Sequence, residues 1–166
     1  MRSQLIAFLL VAGSVGLGAC TPSEYEPGAA AGSEQVAPLP QSRIQMREVD
    51  ATGAPTSSEL KDRGGNALFL KKPAFLTTAD VASVSVGRDI HNGRATLELH
   101  MTAAAAPRLL AATEARVGKR VALTVGDKVL TVATISGPFG ESMQVTGLDK
   151  DGEAQQLFAE ITGRRP

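Results

Sequence analysis

The side chains best suited to nucleophilic or metal chemistry in this 166-residue chain are one cysteine, Cys20, and two histidines, His91 and His100. Acids and bases are available in Asp80, Asp89, Glu98, Glu114, Asp127 and Glu141. A structural zinc site takes about four ligands, and neither histidine has Cys or His neighbours at ligand spacing. His91 adjoins an Asn92-Gly93 turn signal, and His100 shares the polar side of an alternating stretch with Thr96 and Glu98, so both are expected to face solvent. The carboxylates fall singly at turns and strand ends, none paired with a nucleophile and a base in a recognisable motif, so no catalytic residue is expected. Gly13, Gly16 and Gly18 lie in an apolar run with no preceding strand, which excludes a phosphate-binding glycine loop. Lys+Arg is 17 and Asp+Glu is 17, leaving no charged field to gather nucleic acid. No cofactor or metal is expected.

The thiol draws its meaning from its position. Arg2 followed by the apolar run Leu5 to Val15 reads as an export signal over residues 1–19, since the run is shorter than the roughly 20 residues that span a bilayer. The signal closes on Leu17-Gly18-Ala19-Cys20, which resembles the lipobox of bacterial lipoproteins. That resemblance implies that the Cys20 sulfur receives a diacylglyceryl group and that cleavage makes Cys20 the new N-terminus, with palmitate or a similar chain added. Two or three acyl chains, at ~0.8 kcal/mol per buried CH2, hold a protein on a membrane where one chain does not. Thr21 after the cysteine, where an Asp would mark inner-membrane retention, favours the outer membrane. The expected location is the cell envelope, facing the periplasm.

Residues 20–42 carry Pro22, Pro27, Pro38 and Pro40 among Gly, Ala, Ser and Glu, and read as a disordered tether. The remainder, 43–163 with a tail at 164–166, must then be the domain. Trp is absent and Phe occurs five times, so the core has to come from Val, Leu, Ile and Ala. Period-2 alternation predicts strands at Ile44 to Val49, Asn66 to Leu70, Ala82-Val84-Val86, Ala95 to Met101, Val121-Leu123-Val125, Lys128 to Ile135 and Ser142 to Thr146. Thr52 to Gly65 reads as a loop. Asn92-Gly93 predicts a tight hairpin, and Gly126-Asp127 a type II′ turn. Lys71-Lys72-Pro73 reads as a solvated strand end.

Two helices complete the pattern. Ala103 to Val117 follows a Thr102 cap, turns Leu109, Leu110, Thr113 and Val117 inward, and stops at Gly118. Lys150 to Thr162 follows an Asp149 cap, with Ala154, Leu157, Phe158 and Ile161 on one stripe. The expected fold is α+β: one mostly antiparallel sheet of five to six short strands, covered on one face by two helices, with a right-handed crossover through the first helix.

The stretch from about Leu68 to Ile161 resembles the head subdomain of the first periplasmic region of SecD, part of the SecDF component of bacterial protein export. The resemblance is carried by Lys72 to Asp80, by Thr113 to Lys119 ending in Gly-Lys, by Val129 to Ile135, and by Val145-Thr146-Gly147 before the Ala154-x-x-Leu157 helix. Thr78 departs from the family's usual Gly. The resemblance implies a ferredoxin-like α+β head, and as partners exported polypeptides or Sec translocon components. No membrane span is read after residue 20, so the transmembrane proton coupling of SecD is not expected here. The function expected is a non-catalytic polypeptide-binding accessory of export; the alternative is an envelope-maintenance lipoprotein that kept the fold without a transport role.

Overall fold

The structure, a computed structural model, describes residues 34–148 and 152–165. The expected export signal with Leu17, Gly18 and Ala19, the expected lipidation site Cys20, residues 21–33 of the expected tether and the expected Asp149 cap lie outside the described residues. In chain order the elements are β1 (Ile44–Glu48), β2 (Ser58–Lys61), β3 (Ala67–Leu70), β4 (Leu76–Thr77), β5 (Val81–Arg88), β6 (Ala95–Met101), α1 (Ala106–Glu114), β7 (Arg120–Val125), β8 (Lys128–Thr134), β9 (Ser142–Val145) and α2 (Glu153–Thr162). The class is α+β with antiparallel strands and two helices, as the sequence implies. The strands do not form one sheet, however; they fall into sheets ordered β4-β1-β7-β8, β5-β6-β9 and β2-β3.

The reason lies in β7. Val121, Ala122, Leu123, Thr124 and Val125 are all buried, so this strand is covered on both faces rather than one. Its odd-numbered side chains meet Ile44, Met46, Leu97, Leu99, Leu109 and Phe158 in the main core. Ala122 turns the other way and packs with Leu68, Leu70 and Val129 in a second, smaller core. That second face needs a lid of its own, and the β2-β3 hairpin supplies it. The 52–65 stretch was expected as loop because Ser-Glu-Leu-Lys carries one large apolar side chain; Leu60 alone joins the small core while its neighbours face water.

Against β5 and β6, α2 packs Ala154, Leu157, Phe158 and Ile161, all buried, as its periodicity predicts. Each large side chain so removed from water contributes on the order of 1.5–3 kcal/mol. Its N-cap is Gly152, at φ 77°, and Gly163 ends it in the left-handed region. β6 and β7, which flank α1, belong to different sheets, so the expected crossover within one sheet does not occur.

Helix α1 is shorter than its apolar spacing suggests. Thr102 Oγ1 accepts the Ala105 N–H at 3.1 Å and caps the turn before the helix, whose first turn holds Pro107. Leu109 and Thr113 are buried, but Leu110 and Val117, expected inward, are 46% and 48% exposed. The helix lies at the rim of the core, and only its 109/113 stripe touches it.

Local turn chemistry decides the remaining differences. Gly126-Asp127 closes Val125 against Lys128 with a positive φ at Gly126 alone, as a type II′ turn requires. Asn92-Gly93 does not form a two-residue turn, because the Asp89 carboxylate accepts the His91 and Asn92 N–H groups at 2.8 and 3.3 Å and widens the loop. A bulge between Val81 and Ser83 turns Ala82 outward, against its expected place in the core, and keeps Val84 inside.

The last part of the expected tether, residues 36–42, is docked on the domain. Val36 is 8% exposed, within the main core cluster, and exchanges two backbone hydrogen bonds with Val84, at 2.9 and 2.8 Å, along the outer edge of β5. Leu39 donates its N–H to the Ile161 carbonyl at 2.8 Å, and Pro40–Ser42 makes a 3-10 turn into β1. Pro38 and Pro40 therefore shape a docked segment, a role proline serves at strand edges and first turns.

Candidate functional site

Two strands end their sheets without a partner on one side: β8 closes the four-stranded sheet and β9 the three-stranded one. The loop 135–141 joins them, and a groove of about 350 Å³ lies between them, walled by Met46, Leu123, Thr131, Ala133, Phe139 and Met143. None of the residues lining it is ionisable. Recognition there would rest on backbone hydrogen bonds at the strand edges and on apolar contact, with charge playing no part.

The loop holding the groove's wall is fixed from below. Thr113, fully buried on α1, accepts the Phe139 N–H at 3.0 Å, and its hydroxyl lies 2.8 Å from the Phe139 carbonyl. Gly140 then passes so close to α1 that an added Cβ would meet the Ala106 carbonyl oxygen at 2.6 Å. A second hollow, of about 870 Å³, opens between α1 and this loop, with Met101, Pro107, Leu110 and Phe139 in its wall. Leu110 is half exposed because it faces that hollow, and Phe139 contributes to both.

The residues singled out for chemistry are not brought together. His91 is exposed on the β5-β6 loop, and His100, half-buried on β6, has its Nε2 4.0 Å from Glu98 Oε2. Asp127 faces Arg43 at 3.4 Å on the surface. Asp80 accepts the Thr77 N–H at 2.8 Å and the Thr77 hydroxyl at 3.0 Å, and pairs with Arg108. Burial pushes its carboxyl up, but the Thr77 N–H, Arg108 and the Thr77 hydroxyl together hold it below the usual range. Its work is to fix the turn before β5. Among the described residues, no three His, Cys, Asp or Glu side chains gather as a metal ion would need.

Sequence reasoning placed Thr113 on the inward side of its helix but did not assign it, Phe139 or Gly140 to a groove. The signal was present in outline: a large aromatic between Pro138 and Gly140, in a chain with few aromatics, is a side chain with a place to go. Met143 was legible as an alternating strand residue but not as a groove wall, since the groove exists only once two separate sheets meet.

A small antiparallel α+β domain with an apolar groove between two unpaired strand edges is the class of module these features define. Residues 54–163 match the model of the SecDF P1 head subdomain, and the chain belongs to that family. It is similar to the protein translocase subunit SecD of Koribacter versatilis (strain Ellin345), 29% identical over 114 residues that make up 68% of this chain and 21% of that SecD. The chain thus spans about a fifth of the relative's length. A crystal structure of SecDF in its super-membrane-facing form superposes with a TM-score of 0.57 at 19% identity, over 75% of this chain and 19% of that one. A structure of SecDF described as a membrane component that enhances protein export gives 0.56 at 19% identity, over 79% and 64%. At that identity the likeness establishes the fold. The hydroxyl of Thr78 accepts the Ile44 N–H at 2.7 Å and fastens the start of β1. Among the described residues no helix is long and apolar enough to cross a membrane.

Proposed function

We propose that this chain is a lipid-anchored, non-catalytic module of the cell envelope that receives an extended stretch of polypeptide in the β8-β9 groove during protein export. The observation that carries the reading is the pair of unpaired strand edges facing one apolar groove that lacks ionisable side chains. An extended chain laid along either edge gains backbone hydrogen bonds worth roughly 0.5–1.5 kcal/mol each, with little demand on sequence. Such contacts with a strand as short as Ser142–Val145 are weak enough to let a moving chain go. Membership of the SecDF P1 head family supports exported polypeptides or Sec translocon components as the partners. Cys20, acylated after cleavage behind Leu17-Gly18-Ala19, would hold the domain at the membrane, facing the periplasm and favouring the outer membrane.

A photo-crosslinking side chain placed at Met143 tests the groove in cells. Crosslinks to exported chains or translocon subunits are expected, and a position that labels neither while a reporter is secreted at normal speed in the deletion strain would defeat the reading. The anchor is tested separately by palmitate labelling of the wild type against Cys20→Ser, followed by separation of inner and outer membranes.

A further inference from the structure

On another side of the domain, Lys71-Lys72, which read as a solvated strand end, and a second basic pair, Lys119-Arg120, are brought to one place. Lys71 donates its N–H to the Glu48 carbonyl at 2.9 Å, and Val49 donates to the Arg120 carbonyl at 2.9 Å. Lys71-Lys72 and Lys119-Arg120 therefore flank the end of β1 from opposite sides, about two strand spacings or ~9.5 Å apart. Between them lies a hollow of about 570 Å³ whose wall also includes Glu48 and Asp50.

The two acids there are already committed. Glu48 takes Lys71 Nζ at 2.6 Å and faces Arg116 at 3.7 Å. Asp50 is 7% exposed and spends both oxygens on its own loop, accepting from the Thr52 N–H and hydroxyl, the Ala54 N–H and the Ser57 hydroxyl at 2.6 to 2.9 Å. Lys72, Lys119 and Arg120 are exposed around the same hollow and have no ion pair among the described residues. Three uncommitted cations from two separate chain segments converge on one concavity whose local anions are consumed.

We propose that this hollow binds a phosphoryl anion, its three oxygens shared among Lys72, Lys119 and the planar guanidinium of Arg120. A phosphate presents three acceptor oxygens and up to two negative charges, the complement of two point cations and one bidentate fork. The group arrives either as soluble phosphate or as the head group of an anionic lipid, and the two are separable by experiment.

The test is an NMR titration of the full chain, kept in solution with detergent, with inorganic phosphate, with glycerophosphoglycerol as a soluble lipid head group, and with acetate. Expected are saturable amide shifts confined to 49–57, 71–72 and 118–120, weakened by salt, and at least tenfold weaker binding in K72Q/K119Q/R120Q. These residues are exposed, and an unchanged thermal midpoint of that variant establishes that folding is intact. Tighter binding of glycerophosphoglycerol than of phosphate assigns the site to lipid; the reverse assigns it to soluble phosphate. Shifts spread over the whole surface, acetate binding as tight as phosphate, or binding that survives the triple substitution would overturn the proposal.

Discussion

The hydroxyl of Thr113 lies within 3.0 Å of both the N–H and the carbonyl oxygen of Phe139, so one buried side chain on α1 holds the backbone on either side of that residue's Cα. The groove wall is thereby tied to the helix, and what Phe139 presents to the groove depends on a residue that is not part of the groove's lining.

Thr113→Val keeps the shape and removes the hydroxyl. It leaves the Phe139 N–H without its partner in a buried place, at about 1–3 kcal/mol. Urea unfolding should show that loss, and crosslinking from Met143 should fall with it. Thr113→Ser retains the hydroxyl and should lose less than half as much.

Gly140 and Gly87 make a paired test of close approach. A Cβ at Gly140 meets backbone, the Ala106 carbonyl oxygen at 2.6 Å, whereas at Gly87 it meets the Glu98 side-chain oxygen, the end of a flexible chain that swings aside. Gly140→Ala should destabilise by about 1–3 kcal/mol, and Gly87→Ala by under about 1 kcal/mol, measured by chemical denaturation.

Val36 tests the docked N-terminal segment. Val36→Ala should cost about 1–2 kcal/mol through two lost methyl groups. Val36→Pro also removes the N–H that bonds Val84, and should exceed it. Limited proteolysis should then cut within 34–42 in the proline variant while β5 to α2 stay protected.

Asp50 sets a pH dependence. Hydrogen bonds from Ser57, then from the Thr52 hydroxyl, hold its carboxyl far below the ordinary range, with the Thr52 and Ala54 N–H groups adding to them. A depressed folded-state value contributes stability that is fully present above the unfolded value, about 3.9, and is lost as pH falls below it. Wild type should therefore exceed Asp50→Ala in thermal midpoint at pH 7, with the difference narrowing as pH drops through about 4 and below.

What was legible in the sequence was the repeating part. The α2 stripe, the β5-β6 and β7-β8 hairpins and the Gly126 turn follow from spacing alone, because each is decided by residues within one turn or one strand pair. The β2-β3 lid was not, since Leu60 is one apolar residue among polar ones and becomes meaningful only against Ala122 and Val129, more than sixty positions away. Residues 34–42 were hidden for a similar reason: proline and small residues read as disordered until a sheet edge is there to receive Val36. The groove is a further step removed, formed where two sheets end side by side, and no local pattern encodes that meeting.

The bridge between Val36 and Val84 also bears on how copies of the domain could associate. A domain with an open strand edge runs the risk of pairing with its own copies and growing into fibres, and growth of that kind requires two open sides. Here one margin of the β5-β6-β9 sheet is already occupied at Val84 by the chain's own residue Val36, which obstructs strand addition on that side and leaves β9 as the open one.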